Sequence, residues 1–133
     1  MTSGGYSGTP LIRKLGIQPG MKVMLVNAPP DYFQLLGEDI SGQVVKSGAA
    51  DLVHLFAIKA AVLREEFSRL ISEMPSNTII WISWYKKASR LPTDINEDLI
   101  RDIVLPLDWV DIKVCSVSEQ WSGLKIVKRK AAR

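Results

Sequence analysis

The sequence predicts a three-layer α/β domain of Rossmann-like build: a mostly parallel sheet with helices on both faces and an antiparallel hairpin at the C-terminal end. Three observations predict it. The first is Asn77 to Lys87, N-T-I-I-W-I-S-W-Y-K-K, where β-branched and aromatic residues run without polar alternation. Neither face of such a strand is solvated, which is the pattern of an interior strand under helices. The second is that apolar runs of strand length alternate with helix-period segments. The third is a pair of adjacent strand-like runs after residue 108, which reads as a hairpin.

The elements follow in order. Met1 to Thr9 is rich in Gly and Ser and reads as an arm, with residues 1–133 forming one domain. Thr9 caps a short helix with Pro10 at its first position, ending at Gly16. Pro19-Gly20 is a turn, and Lys22 to Asn27 is a buried strand. Asn27-Ala28-Pro29-Pro30-Asp31 forms the loop after it, and Asp31 to Leu36 is a short helix. Ile40 to Lys46 reads as a weaker strand, and Asp51 to Ile58 as a strong one. From Lys59 to Met74, Leu63, Phe67, Leu70, Ile71 and Met74 form one helical stripe closed by Pro75. The central strand Asn77 to Lys87 is next. Asp94-x-x-Glu97 is a capping box for a helix through Val104. Trp109 to Val117 alternates and is a half-exposed strand. A turn at Gln120 to Gly123 leads into a last strand, Leu124 to Lys128, at an antiparallel edge. Residues 129–133 are a basic, frayed tail.

Composition excludes several function classes. With 133 residues, 47% hydrophobic and 23% charged, the chain is that of a globular domain. Its net charge of +3 is too mild to imply nucleic acid by itself. One cysteine, Cys115, and one histidine, His54, leave no internal disulfide and too few ligands for a zinc site. Residues 1–8 lack the apolar segment of a signal peptide, and no apolar run reaches membrane-spanning length, so a cytoplasmic protein is expected.

In parallel α/β sheets, ligands bind beyond the carboxyl ends of the strands. That edge should collect Asn27 and Asp31 from the first strand, Lys59 from the third, and Trp84, Lys86, Lys87 and Ser89 from the central one. Glu119, Trp121 and Ser122 arrive from the hairpin turn. Lysines beside aromatics suit a small anionic or nucleotide-like ligand. Catalytic residues are not assigned: Cys115 reads as an inert apolar thiol and His54 as a hydrogen-bonded interior residue. No metal or cofactor is expected. A dinucleotide or S-adenosylmethionine site calls for a glycine-rich turn after the first strand, and two prolines stand there instead. The basic residues Lys86, Lys87, Arg90, Lys125, Lys128, Arg129 and Lys130 with Trp84, Tyr85 and Trp121 admit a second reading, an accessory module for a protein partner or single-stranded nucleic acid. Glu97, Asp98, Asp102, Asp108 and Asp111 dilute the basic patch, so nucleic acid is not the expected partner.

Two resemblances add to this. From Asp51 to Lys128 the element order is similar to the C-terminal half of the Rossmann-like methyltransferase fold, which also ends in a reversed strand; the chain looks like a reduced version of it, and a degenerate methyltransferase-like protein is the alternative function. The motifs Gly5-Tyr6-Ser7-Gly8-Thr9-Pro10-Leu11, Leu15-Gly16-Ile17, Pro19-Gly20, Asn27-Ala28-Pro29, Trp84 with Lys86-Lys87-Ala88-Ser89, Pro92-Thr93-Asp94, Lys113-Val114-Cys115 and Trp121-Ser122-Gly123-Leu124 together resemble the bacterial domain of unknown function 3052 family. That family lends no activity. It concentrates the shared segments in the arm and at the carboxyl edge; extended to the arm, that placement makes Tyr6 and Ser7 the candidates for a lid over the edge.

Overall fold

A computed structural model describes residues 9–133; the expected lid residues Tyr6 and Ser7 lie outside them. Five strands form one sheet in the order β1-β2-β3-β5-β4: β1 Val23–Val26, β2 Leu52–Phe56, β3 Ile79–Tyr85, β4 Trp109–Ser116 and β5 Trp121–Lys128. β1, β2 and β3 are parallel, and β5 runs antiparallel to both β3 and β4. Helices α1 (Leu11–Leu15) and α2 (Tyr32–Leu36) cover one face, α3 (Ala60–Glu73) and α4 (Glu97–Val104) the other. This is the Rossmann-like three-layer arrangement, with β3 at its centre.

β3 divides its side chains between the two cores. Ile80, Ile82 and Trp84 pack with Leu63, Phe67 and Ile100. Trp81 packs with Leu15, Tyr32 and Leu52. Trp81 is fully buried, and its indole N–H donates to the carbonyl of Leu15 at 3.0 Å. That bond satisfies the polar end of a large ring and pins the last turn of α1 to the sheet.

Ser83, the polar interruption in β3, sits in the same buried layer. His54 on β2 is fully buried and has its Nε2 2.7 Å from Ser83 Oγ and its Nδ1 2.8 Å from Tyr32 Oη on α2. A neutral imidazole carries one donor and one acceptor, and each hydroxyl can take either role, so both ring nitrogens are satisfied. Desolvation lowers the His54 pKa to about 3. The connectivity is that of a nucleophile, a base and an orienting group. Ser83 is nevertheless fully buried and the imidazole is not basic near neutral pH, so the three act as a structural tie between α2, β2 and β3.

Several sequence expectations are corrected. Ile40 to Lys46 is not a strand: Ser41–Gln43 forms a 3₁₀ turn, and only Val44 bridges to Val23. Gly42 and Ser47-Gly48 leave too little uninterrupted chain for a ladder. The last strand is not an edge. β5 starts earlier, at Trp121, and inserts between β3 and β4. Its Trp121, Leu124 and Ile126 are buried, whereas the true edge strand β4 exposes Ile112 and Val114 by more than half. A register shift between Asp111 and Lys113 leaves Ile112 as the extra residue of a bulge. The turn consequently moves back to Val117–Gln120, where Ser118 Oγ accepts from the N–H groups of Gln120 and Trp121. Pro10 occupies the cap position of α1 rather than its first turn. Lys130–Ala132 forms a 3₁₀ turn instead of a frayed tail.

The capping box also gives way. Asn96 caps α4, its side chain accepting from Leu99 N–H at 2.8 Å. Asp94 turns to the other helix and accepts from Ala60 N–H of α3 at 2.7 Å. Asp94→Ala should therefore cost about 1 kcal/mol, the usual worth of a helix cap. Amide exchange should show lost protection at Ala60 and unchanged protection at Leu99.

Two further outcomes follow from the buried layer. Above pH 6.5 the His54 ring is neutral in the folded and unfolded states alike; below it only the unfolded state takes up the proton. Stability measured by urea titration should fall by about 1.4 kcal/mol per pH unit from pH 6.5 towards about 3, and His54→Leu should flatten that part of the curve. On β5, a Cβ at Gly123 would lie 3.0 Å from Val117 Cγ2 and 3.3 Å from the Trp81 ring. Gly123→Ala should cost roughly 1–3 kcal/mol by overpacking, read as a lower denaturation midpoint at unchanged slope.

Candidate functional site

The carboxyl ends of β1, β2 and β3 and the start of β5 meet at one edge, because the first three strands are parallel and the fourth neighbour runs back from that edge. The turn after β1 is made by Asn27 in the left-handed region (φ 58°), not by glycine. The carbonyl of Pro29 accepts from Tyr32 N–H, so the Pro29-Pro30 loop leads straight into α2. β2 ends in Ala57-Ile58-Lys59, which turns at once into α3.

Three depressions open along this edge. The first, about 370 Å³, is lined by Asn27, Phe56, Ala57, Ile58, Lys59, Val62 and Trp121. Its walls are mostly apolar. Ile58 and Val62 belong to the few large apolar side chains left more than a third exposed. Phe56 meets Trp121 edge-on at 4.9 Å and stacks on His54 at 4.3 Å. Asn27 and Lys59 supply polar and charged groups at the rim. The second, about 440 Å³, lies past the end of β3, between Trp84, Tyr85, Lys86, Lys87 and Arg90 on one side and Leu91, Pro92, Thr93, Ile95 and Asn96 on the other. The third, about 430 Å³, lies between Trp84, Lys87, Ser122 and the first turn of α4, where Glu97 and Asp98 face Arg101.

The sequence-predicted residues divide among these. Asn27, Lys59 and Trp121 share the first depression; Trp84 and Lys87 border the second and third, Lys86 the second and Ser122 the third. Asp31 is exposed at the head of α2 and lines none of the three. Glu119 is exposed in the hairpin turn. Ser89 is occupied locally, donating to the Lys86 carbonyl and accepting from Leu91 N–H. Lys86 donates to Ser116 Oγ at 2.6 Å, while Lys14 donates to the Ser116 carbonyl at 3.2 Å. Partial burial, then the neighbouring Lys14 ammonium, lowers the Lys86 pKa. Cys115 beside them is half-buried, and burial pushes its thiol up, away from nucleophilic character. Among the described residues no cluster of His, Cys, Asp and Glu could hold a metal ion. No helix among them is long and apolar enough to cross a membrane.

Phe56, Ile58 and Val62 escaped sequence reasoning. One signal was available: Val62 is apolar but lies off the buried stripe Leu63, Phe67 and Leu70.

The fold has counterparts among solved structures. A ribosomal protein L11 methylase from Lactobacillus delbrueckii subsp. bulgaricus superposes with a TM-score of 0.58 at 12% identity, over 90% of this chain and 75% of that one. A putative type 11 methyltransferase from Sulfolobus solfataricus superposes at 0.53 and 11% identity, over 83% and 85%. LepI, solved in complex with SAM, gives 0.55 and 11%, over 90% of this chain but 39% of its own. No family model and no curated protein matches, so the likeness to the domain of unknown function 3052 family rests on its motifs alone. At these identities the counterparts establish a methyltransferase-like fold.

Proposed function

We propose that this protein binds a small ligand with a flat aromatic group and a nearby anionic group, of the nucleotide class, in the depression at the carboxyl ends of β1 and β2. The observation that carries this reading is the coincidence of exposed Ile58 and Val62, the Phe56–Trp121 pair and the Lys59 ammonium around one cavity of about 370 Å³. Its volume falls in the range of small-molecule sites, and an apolar wall with few polar groups is their usual lining. No described side chain in it is set up as an acid, base or nucleophile, so the reading is binding rather than catalysis by the chain's own groups.

Methyl transfer is the second reading, favoured by the methyltransferase fold of the structural counterparts. The loop after β1 argues against it. Pro29 and Pro30 present no N–H groups to a ligand, and no glycine allows close backbone approach.

The test is a thermal-shift and calorimetric comparison of nucleosides, nucleotides, S-adenosylmethionine and S-adenosylhomocysteine. A ligand at about 100 times its dissociation constant adds about 2.7 kcal/mol, a rise of roughly 5–15 °C for a domain of this size. Val62→Trp, at an exposed position, should fill the depression and abolish the shift without lowering the melting temperature of the free protein. Undiminished binding by that variant would place the ligand elsewhere. Binding of S-adenosylhomocysteine in preference to every nucleotide would favour the methyltransferase reading.

A further inference from the structure

The cation-lined depression past β3 adjoins the apolar one past β2. Two contacts join them. Trp121, in the wall of the first, packs against Tyr85, in the wall of the second, with ring centroids 4.5 Å apart. Ile58 of the first accepts through its carbonyl from the hydroxyl of Thr93 of the second. β2 and β3 are also direct parallel neighbours, with Phe56 opposite Ser83. The two strand ends therefore lie about 4.8 Å apart across the sheet.

The second depression has a single sign of charge. Lys86, Lys87 and Arg90 line it, and no Asp or Glu does. The ion pairs of the described residues engage Arg69 and Arg101 and leave Lys87 and Arg90 without a carboxylate. Arg101, in the third depression, is held by Glu97, Asp98 and Asp111, so that depression is already neutralised. Arg90 is moreover held at φ 60°, a conformation that is uncommon for a residue with a Cβ. The helix on this side starts at Asn96 and opens with Glu97 and Asp98, so it does not supply the anion site; the side-chain cations do.

We infer that the two depressions form one bipartite site for a nucleoside polyphosphate, with the base in the apolar depression and the phosphates crossing the Tyr85–Trp121 ridge to Lys87 and Arg90. This rests on the nucleotide-class reading of the first depression and adds the ligand's charged tail. Adjacent cations without acidic partners, beside an aromatic ridge, are what a run of phosphates requires.

The experiment is calorimetric titration of the full chain with adenosine, guanosine and uridine, their 5′-mono-, di- and triphosphates, and inorganic tripolyphosphate. Wild type should bind the triphosphate of its preferred base at least about tenfold more tightly than the nucleoside, with a gain that shrinks as salt is raised. The double variant Lys87→Ala with Arg90→Gln should lose that gain and keep the nucleoside affinity, which also shows that it is folded. Equal affinity for nucleoside and triphosphate in wild type, with both lost in Val62→Trp, would overturn the bipartite site and leave the apolar one standing. A phosphate gain that persists in the double variant would likewise overturn it. Binding of tripolyphosphate without any nucleoside binding would overturn both readings.

Discussion

The tie that the rest of the structure depends on is the buried histidine. His54 is fully enclosed, carries no charge near neutral pH, and spends both ring nitrogens on hydroxyls from two other elements. A buried imidazole left half-satisfied would cost about 1–3 kcal/mol, so Tyr32 and Ser83 are needed where they are. The position of α2 over the sheet follows from the Tyr32 bond. Phe56 stacks on the same imidazole, and Trp121 meets Phe56 edge-on. The aromatic wall of the candidate site is thus held by a hydrogen-bonded core rather than by the loops that border it. Sites held this way keep their shape before a ligand arrives, which lowers the ordering cost of binding.

The second constraint is the insertion of β5 between β3 and β4. It places Gly123 under the Trp81 ring and against Val117, where a Cβ is barely accommodated. It also brings Trp121 to the same edge as the ends of β2 and β3. Had β5 been the edge, as its place at the end of the chain suggested, Trp121 would have stood a strand further from Phe56 and Tyr85. The methyltransferase-like counterparts share this general architecture. In this chain the turn after β1 is built on a left-handed Asn27, with Pro29 and Pro30 two residues on, and a shared fold does not by itself carry a ligand to that loop.

The central strand, the α3 stripe and the three-layer class were legible because burial periodicity is a local signal. Pairing order was not. β4 and β5 both read as strands, and only the alternation of charge in β4 against the apolar run of Trp121, Leu124 and Ile126 hinted at which lay inside. Asp94 shows the same limit at the level of one side chain. Its spacing from Glu97 is that of a capping box, yet its carboxylate reaches Ala60 N–H on another helix, and the cap of α4 passes to Asn96.

At the candidate site the division is similar. Composition and order alone determined that polar and aromatic groups, Asn27, Lys59, Lys87 and Trp121 among them, would gather at the carboxyl edge, since parallel strands must present their loops together. The same sequence determined that glycine-dependent phosphate or cofactor turns are absent after the first strand. Only the tertiary structure decided that Lys86 is tied to Ser116, that Asp31 stands apart, and that Ile58 and Val62 are left exposed beside Phe56. The physical reason is range. Periodicity and turn chemistry act over a few residues, whereas these pairings join positions about 30 apart in the chain, Lys86 with Ser116 and His54 with Ser83, and exist only once the sheet order has been chosen.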